Sequence, residues 1–244
     1  MSDIYFDSRQ LPRSKNAYVA FLDIMGTKAH MAHSVHETAN YIFKLHAAVL
    51  SAWRSEKYKN VFVYPVMDGA YITASHQEDM EKLLARIFDS LAILFLNESD
   101  PSKRFVVQAG LSYGKTIHGH TVPYSASKVY ELDLGYKNNI LLGPAMIQAY
   151  EAGSVASPFG ISMADSTIKH DHDNSKAYGS FLSEWKWHTC EKIRISTDAN
   201  ELSKELIAYF NAFKSEEHPL HYDPLRIECH INRIKDYFSV DEAL

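Results

Sequence analysis

Two aspartates, each followed closely by a glycine, carry the most specific chemistry in this chain. Asp23 follows the apolar run 17–22 and precedes Gly26, and Asp68 stands directly before Gly69 between two β-rich stretches. Carboxylate oxygens are hard donors of the kind that Mg²⁺ and Mn²⁺ prefer, and these metals in turn hold nucleotide phosphates. If the two strands are neighbours in a sheet, both carboxylates reach one point at the strand ends. The pair therefore predicts a metal site that processes a nucleotide.

Residues next to Asp23 complete the predicted site. The main-chain carbonyl of Ile24 is a further oxygen donor for such a metal. Gly26 and Thr27 open the next segment, where the free N–H groups of a helix N-terminus would cradle a triphosphate. Either aspartate alone is more ordinary as a helix cap or a turn residue. Their occurrence together, in this strand order, favours the metal site.

Hydrophobic periodicity predicts the elements that must position these residues. The predicted strands cover 17–23, 104–118 and 139–142, with a hairpin over 61–74, and the predicted helices cover 33–54, 77–97, 143–151, 199–214 and 224–238. The first elements run β-α-β-β-α-β, the order of the ferredoxin-like split unit, an antiparallel sheet with helices on one face. Pro65 removes a ladder donor and predicts an edge strand or a bulge. The fold class is therefore α+β.

The chain contains no internal repeat and no low-complexity linker. We therefore expect a single domain over 1–244, with a core over about 17–160 and an elaborated C-terminal extension over about 161–244. The mixture of glycine, serine, charges and tryptophan in 157–195 predicts short strands and loops there.

Composition excludes several classes of protein. The chain has 244 residues, of which 46% are hydrophobic and 23% charged, an ordinary globular balance. Its net charge of −5 argues against a broad nucleic-acid surface. No apolar run approaches the roughly 20 residues that cross a membrane, and the first residues lack the order of a signal peptide. Because Cys190 and Cys229 are its two cysteines, no disulfide framework is expected. We expect a cytoplasmic protein with no nucleic-acid polymer and no membrane as partner.

The thirteen histidines include two dense clusters, His118-Gly-His120 and His170-Asp-His172. Neither has the helical His-x-x-x-His spacing or a nearby cysteine pair that zinc sites use. Both are interpreted as solvated loops.

The order of these motifs resembles the class III nucleotide cyclases. The resemblance covers roughly 17–160 and consists of short pieces in the family's order, namely Phe21-x-Asp23-Ile24-x-Gly26, Asp68 before a strand, Gly110-x-x-x-Gly114 and Gly143 before a helix. The stretch 143–151 is most similar to the small bacterial Pycsar enzymes, which make cyclic pyrimidine nucleotides in anti-phage defence. The resemblance implies the class III catalytic fold, two Mg²⁺ or Mn²⁺ ions per site, and a head-to-tail homodimer with its sites at the subunit interface.

The resemblance also assigns a base-reading role to Tyr64. Purine cyclases carry a lysine or glutamate four positions before the second metal aspartate, where this chain has Tyr64. A tyrosine would narrow the pocket, stack on a small ring and offer one hydroxyl, which disfavours a purine. The alternative is that Tyr64 is only a β-favouring strand residue. Asn139 lies near the family's second base-reading position, and its amide can pair with either pyrimidine edge.

Two positions depart from the family. Purine cyclases carry asparagine and arginine four and eight residues after the glycine that precedes the helix, where this chain has Ile147 and Glu151. The usual transition-state arginine is therefore missing from its place. Candidates for a replacement cation, by residue type alone, are Arg104, Lys115 and Lys128.

These features together predict a uridylate cyclase that converts UTP into 3′,5′-cyclic UMP and pyrophosphate by two-metal catalysis. The alternatives are a cytidylate cyclase that makes cyclic CMP from CTP, a purine cyclase with unusual base contacts, and a catalytically silent module that binds a nucleotide. Because the residues do not separate UTP from CTP, uridine rests on the resemblance.

Overall fold

The computed structural model describes residues 6–127, 129–167, 184–214 and 223–239. Its strands are β1 (Lys15–Ile24), β2 (Val61–Val66), β3 (Gly69–Ala74), β4 (Val107–His118), β5 (Leu141–Leu142), β6 (Ile161–Met163) and β7 (Glu184–Trp185). Its α-helices are α1 (Thr27–His33), α2 (Val35–Ser55), α3 (Gln77–Asn97), α4 (Val129–Leu132), α5 (Leu134–Asn138), α6 (Pro144–Ser154), α7 (Ala199–Ala212) and α8 (Pro224–Phe238).

The sheet has the strand order β2-β3-β1-β4-β6-β7, and β5 pairs with β4 outside that path. Each of the first four strands is antiparallel to its neighbours, with β1 between β3 and β4, as the ferredoxin-like order requires. The predicted α+β class and the predicted strand order are therefore confirmed. β6 adds a parallel pairing to β4, so the complete sheet is mixed. Pro65 lies in β2, at the edge of the sheet, where its missing N–H costs no ladder bond.

Helices cover both faces of the sheet, and the expectation of helices on one face is wrong. Leu22 and Ile24 of β1 are buried in the large core that α2 and α3 share. Phe21, on the opposite face, packs with Ala145 and Ala149 of α6. Side chains alternate along a strand, so an apolar run such as β1 requires cover on both sides. α6 provides that second cover.

The chain after β6 returns to the core beside α3. Trp187 is fully buried, and its indole N–H donates to the carbonyl of Phe159 at 2.8 Å. Its ring lies 5.8 Å from that of Phe88 on α3, and Tyr209 on α7 lies 5.6 Å from Phe95. The C-terminal extension therefore shares one apolar core with the sheet.

Polar contacts fix the tail against α3 and begin its helices. The Asp89 carboxylate accepts hydrogen bonds from the amides of Ser196 and Thr197 and from the Thr197 hydroxyl. Asp198 caps α7 and Asp223 caps α8, as their positions before a helix predict. Among the described residues, no helix combines the length and the apolar character that crossing a bilayer requires.

Candidate active site

The end of β1 and the β2–β3 turn bring Asp23 and Asp68 together. Asp23 lies opposite Gly69 in the sheet, and the Ile24 amide donates to the Asp68 carbonyl at 3.3 Å. A Cβ at Gly69 would stand 2.3 Å from the Leu22 carbonyl oxygen, so only glycine permits this approach. The glycine after Asp68 therefore sets the position of the turn.

The two carboxylates interact electrostatically. Burial, and next the negative charge of Asp68, raise the pKa of Asp23 to about 7. Two carboxylates held together in a partly desolvated position repel each other, and a bound cation removes that cost. The described residues contain no cluster of three histidine, cysteine or acidic side chains, so a metal here would rely on main-chain oxygen and substrate as well. The oxygen donors present fit Mg²⁺ or Mn²⁺.

The segment after Asp23 has the predicted glycine turn followed by a helix. Gly26 precedes α1 with φ of 75°, in the left-handed region that favours glycine. The Ile24 carbonyl, a predicted metal ligand, accepts a hydrogen bond from the Thr27 hydroxyl at 2.9 Å. A carbonyl oxygen has a second lone pair, so this bond leaves room for a cation. Because the Thr27 hydroxyl is buried and engaged, any contact of that residue with a phosphate would come from its main chain.

Tyr64 is buried on the same face of the sheet as Phe21, which lies two residues before Asp23. Its hydroxyl lies 2.5 Å from Nδ1 of His118. Burial raises the pKa of Tyr64, and burial, then His120 and Lys15, lower the pKa of His118 to about 4. The imidazole is therefore neutral near pH 7, and it shares a hydrogen bond with the tyrosine hydroxyl.

The histidine pair at the end of β4 corrects the interpretation of a solvated loop. His118 is half-buried against Tyr64, and the ring of His120 lies 4.3 Å from that of Phe62. Together they extend the aromatic surface around Tyr64. The other cluster, His170 with His172, lies outside the described residues.

Asn139 stands at the C-terminal end of α5. It is exposed, and its side-chain amide donates to the carbonyl of Gly135 at 3.0 Å. No contact recorded among the described residues joins it to the two aspartates or to Tyr64. Its base-reading role stays a prediction.

The two departures from the family lie on the exposed side of α6. Ile147 is 61% exposed, Glu151 is also exposed, and Tyr150 between them packs its ring 5.3 Å from Phe21. Phe21 in turn lies 4.7 Å from Tyr71 on β3. An aromatic surface therefore leads from α6 across the sheet towards Tyr64.

The two candidate cations that the structure describes, Arg104 and Lys115, are not assembled at the aspartates. Arg104 donates to Glu205 at 2.8 Å and to the Glu98 carbonyl at 2.9 Å, so its guanidinium is committed to structure. Lys115 lies opposite Asn16, at the far end of β1 from Asp23. Lys128 lies outside the described residues.

A cavity of about 200 Å³ adjoins the first aspartate. Asp23, Gly26 and Gln108 line one side, and the opposite side is formed by α7 and α8 and includes Arg226 and Arg233. The sequence predicted the helix that carries these arginines, but did not connect it with the site. The one feature of the sequence that could have indicated these arginines is the regular spacing of basic residues along 224–238.

Comparisons with known proteins return distant structural neighbours. No protein-family model matches the chain, and no curated protein matches it. The guanylyl cyclase domain of the RhoGC fusion protein from the aquatic fungus Blastocladiella emersonii is 14% identical over 66% of this chain and 88% of that chain, with a TM-score of 0.49. The guanylate cyclase domain of RhGC from Catenaria anguillulae in complex with GTP is 14% identical over 66% and 84%, with a TM-score of 0.46. The adenylate/guanylate cyclase/hydrolase from Silicibacter pomeroyi is 12% identical over 66% and 82%, also with a TM-score of 0.46. Likeness at this level assigns the chain to no family.

Proposed function

We propose that this protein is a pyrimidine nucleotide cyclase that converts UTP into 3′,5′-cyclic UMP and pyrophosphate. The observation that carries the proposal is the meeting of Asp23 and Asp68 at the end of β1, where burial and the charge of Asp68 raise the pKa of Asp23. Such a pair suits a site that binds divalent cations together with a polyphosphate. The motif order supports a cyclase in particular.

The proposed reaction is intramolecular. The ribose 3′-oxygen forms a bond to the α-phosphorus, its proton leaves to solvent, and the bond from the α-phosphorus to the bridging oxygen breaks to release pyrophosphate. Two Mg²⁺ or Mn²⁺ ions held by Asp23, Asp68 and the Ile24 carbonyl would lower the pKa of the hydroxyl and offset charge on the leaving group. The main-chain amides of Gly26 and Thr27 would orient the phosphates. Because the reaction joins two parts of one molecule, positioning supplies much of the rate.

Tyr64 is the residue we propose to select the base. A tyrosine at this position would narrow a base pocket and disfavour a purine, and its buried hydroxyl hydrogen-bonds with His118. Asn139 would provide the second base contact. Uracil over cytosine, and a role for cyclic UMP as a second messenger in bacterial anti-phage defence, rest on the sequence resemblance.

A homodimer with its sites at the subunit interface is part of the proposal. Large apolar side chains are exposed around the site in the single chain, including Met67 at 87%, Ile147 at 61% and Tyr150 at 55%. Exposed apolar surface of this kind commonly marks an interface. A second copy that packs on this face would cover these side chains and close the site from water.

The test is incubation of the protein with UTP, CTP, ATP and GTP in the presence of Mn²⁺, with each product identified by mass. We expect cyclic UMP as the main product, and none from Asp68→Ala. Asp236→Ala is the matched control, because it removes an exposed carboxylate from α8 outside the site. Product formed by Asp68→Ala at the unmodified rate would refute the metal role of Asp68.

The same assay separates the alternatives. Cyclic CMP in excess of cyclic UMP identifies a cytidylate cyclase, and turnover of ATP or GTP above UTP overturns the role given to Tyr64. A folded protein that binds nucleotide and forms no cyclic product is a silent module, a reading favoured by Ile147 and Glu151 in place of the family's polar residues.

A further inference from the structure

The C-terminal helix α8 presents basic side chains to the cavity beside Asp23. Arg226, His230 and Arg233 all line it. At 100° per residue, the three lie within about 60° of one another around the helix axis. The buried stripe of the same helix, which includes Ile227 and Ile234, lies roughly 100° away. The basic stripe therefore follows the edge of the packed face, where side chains reach both the cavity and solvent.

The donors on this stripe are available for a ligand. Arg226 is exposed and makes no ion pair with the described residues. One Arg233 nitrogen donates to the Val155 carbonyl at 3.2 Å, which orients a guanidinium that still has further N–H groups. Nδ1 of His230 is buried without a hydrogen-bond partner among the described residues, and its ring packs 5.1 Å from that of Phe210. Burial, with Arg233 and Arg226 nearby, lowers the pKa of His230.

The charges in the cavity favour an anion. Its lining includes the two guanidinium groups against the single carboxylate of Asp23. Guanidinium groups present planar pairs of donors that match phosphate oxygens, and they do so best where water is partly excluded. At about 30 Å³ per water, a volume of about 200 Å³ holds roughly seven waters, enough for a chain of phosphates.

We propose that Arg226 and Arg233 form the polyphosphate subsite of this protein. From the C-terminal helix they would supply the positive charge that purine cyclases carry as an arginine at the position of Glu151. The assignment to a nucleotide triphosphate rests on the proposed function, whereas the binding of a polyphosphate does not. The C-terminal extension thereby acquires a role at the site. In the cyclisation, the two arginines would offset the negative charge that accumulates on the departing pyrophosphate.

The test measures binding of inorganic tripolyphosphate by titration calorimetry, once with EDTA and once with Mg²⁺. Arg226→Gln is the primary variant, because an exposed side chain can be replaced without loss of packing, and Arg233→Gln and the double variant follow. Lys235→Gln is the matched control, since Lys235 lies on the same helix and lines a different cavity. We expect Arg226→Gln to bind about tenfold more weakly, and Lys235→Gln to bind within about twofold of the unmodified chain. Arg226→Lys should fall between them, because it keeps the charge and loses the paired donors.

Two results would overturn the proposal. One is no binding of tripolyphosphate by the unmodified chain under either condition, and the other is Arg226→Gln binding as tightly as Lys235→Gln. Cyclase assays on the same variants separate this inference from the proposed function. Loss of tripolyphosphate binding in Arg226→Gln, in a chain that cyclises no nucleotide, supports the subsite and refutes the cyclase. Full cyclase activity together with unchanged tripolyphosphate binding in the variant refutes the subsite and leaves the cyclase standing.

Discussion

The contact between α6 and β4 offers the sharpest test of how the site is held. α6 lies directly on the main chain of β4 at Gly110, where an added Cβ would stand 2.0 Å from the Ala149 carbonyl oxygen and 2.2 Å from the Gly153 nitrogen. At Gly114, on the same face and under the same helix, the nearest atom to an added Cβ is the Ala145 Cβ at 3.5 Å. The two glycines therefore form a matched pair that differs in the space available for an added Cβ.

We expect Gly110→Ala to be strongly destabilising. The contact falls about 1.4 Å short of the 3.4 Å at which ordinary packing begins, and main-chain atoms cannot rotate away as a side chain could. Overpacking costs typically 1–3 kcal/mol, so a rigid clash of this size should cost about 3 kcal/mol. For a chain of this length that cost lowers the melting temperature by about 6–12 °C. Gly114→Ala should be neutral or stabilising by about 0.5 kcal/mol, because alanine restricts the unfolded chain.

The measurement is urea unfolding of both variants beside the unmodified chain, followed by circular dichroism and by tryptophan fluorescence. Cyclase activity at a temperature where both variants are folded adds a second reading. Because α6 ends at Ser154, which lines the cavity, its displacement should lower activity in Gly110→Ala more than in Gly114→Ala. Equal unfolding midpoints for the two variants would refute the claim that α6 packs directly against the main chain of β4 at Gly110.

Two further predictions concern polar groups in the core and at its edge. Asp89→Ala should lower the free energy of unfolding by about 2–4 kcal/mol, because the amides of Ser196 and Thr197 lose their acceptor, and Asp89→Asn should lower it by less. Urea unfolding measures both variants. An unchanged midpoint in Asp89→Ala would contradict a stabilising role for these hydrogen bonds. The pKa of His118 falls from its ordinary 6.5 to about 4 in the folded chain, so its contribution to stability is complete above pH 6.5 and declines as the pH falls towards 4. Between pH 6.5 and 4, the free energy of unfolding of His118→Gln should therefore fall by about 1–2 kcal/mol less than that of the unmodified chain, after allowance for solvent screening. The same pH dependence of stability in the variant and the unmodified chain would contradict this prediction.

Much of the fold was predictable because local signals agreed with it. The alternation in 61–74, the turn residues before Gly69 and the proline at position 65 together defined a hairpin at a sheet edge. The proximity of Asp23 and Asp68 followed from strand order, which short connections restrict to a few arrangements. The Ser34 hydroxyl accepts a hydrogen bond from the Glu37 amide and caps α2, so the start of that helix is also encoded locally.

The remaining features depend on contacts between distant parts of the chain. Small residues such as Ala145 and Ala149 indicate close packing of α6, but periodicity does not say which face of a sheet receives a helix. The environment of His118 depends on Tyr64, which lies on an edge strand far along the chain. The same limit applies to Arg226, whose helix was predicted correctly while its docking against Asp23 was not.

The return of the tail to α3 also governs how the chain folds on the ribosome. Synthesis of the first four strands and their two long helices is complete at His118. Phe88 and Phe95 on α3 can pack against Trp187 and Tyr209 only after those later residues have been synthesised. At about 5–20 residues per second, the interval from the end of β4 to the end of α8 lasts about 6–24 s. During that interval the nascent chain exposes an apolar helix face that the finished protein buries. Slower elongation lengthens this exposure, and for that time the apolar face of α3 is open to aggregation and to chaperones.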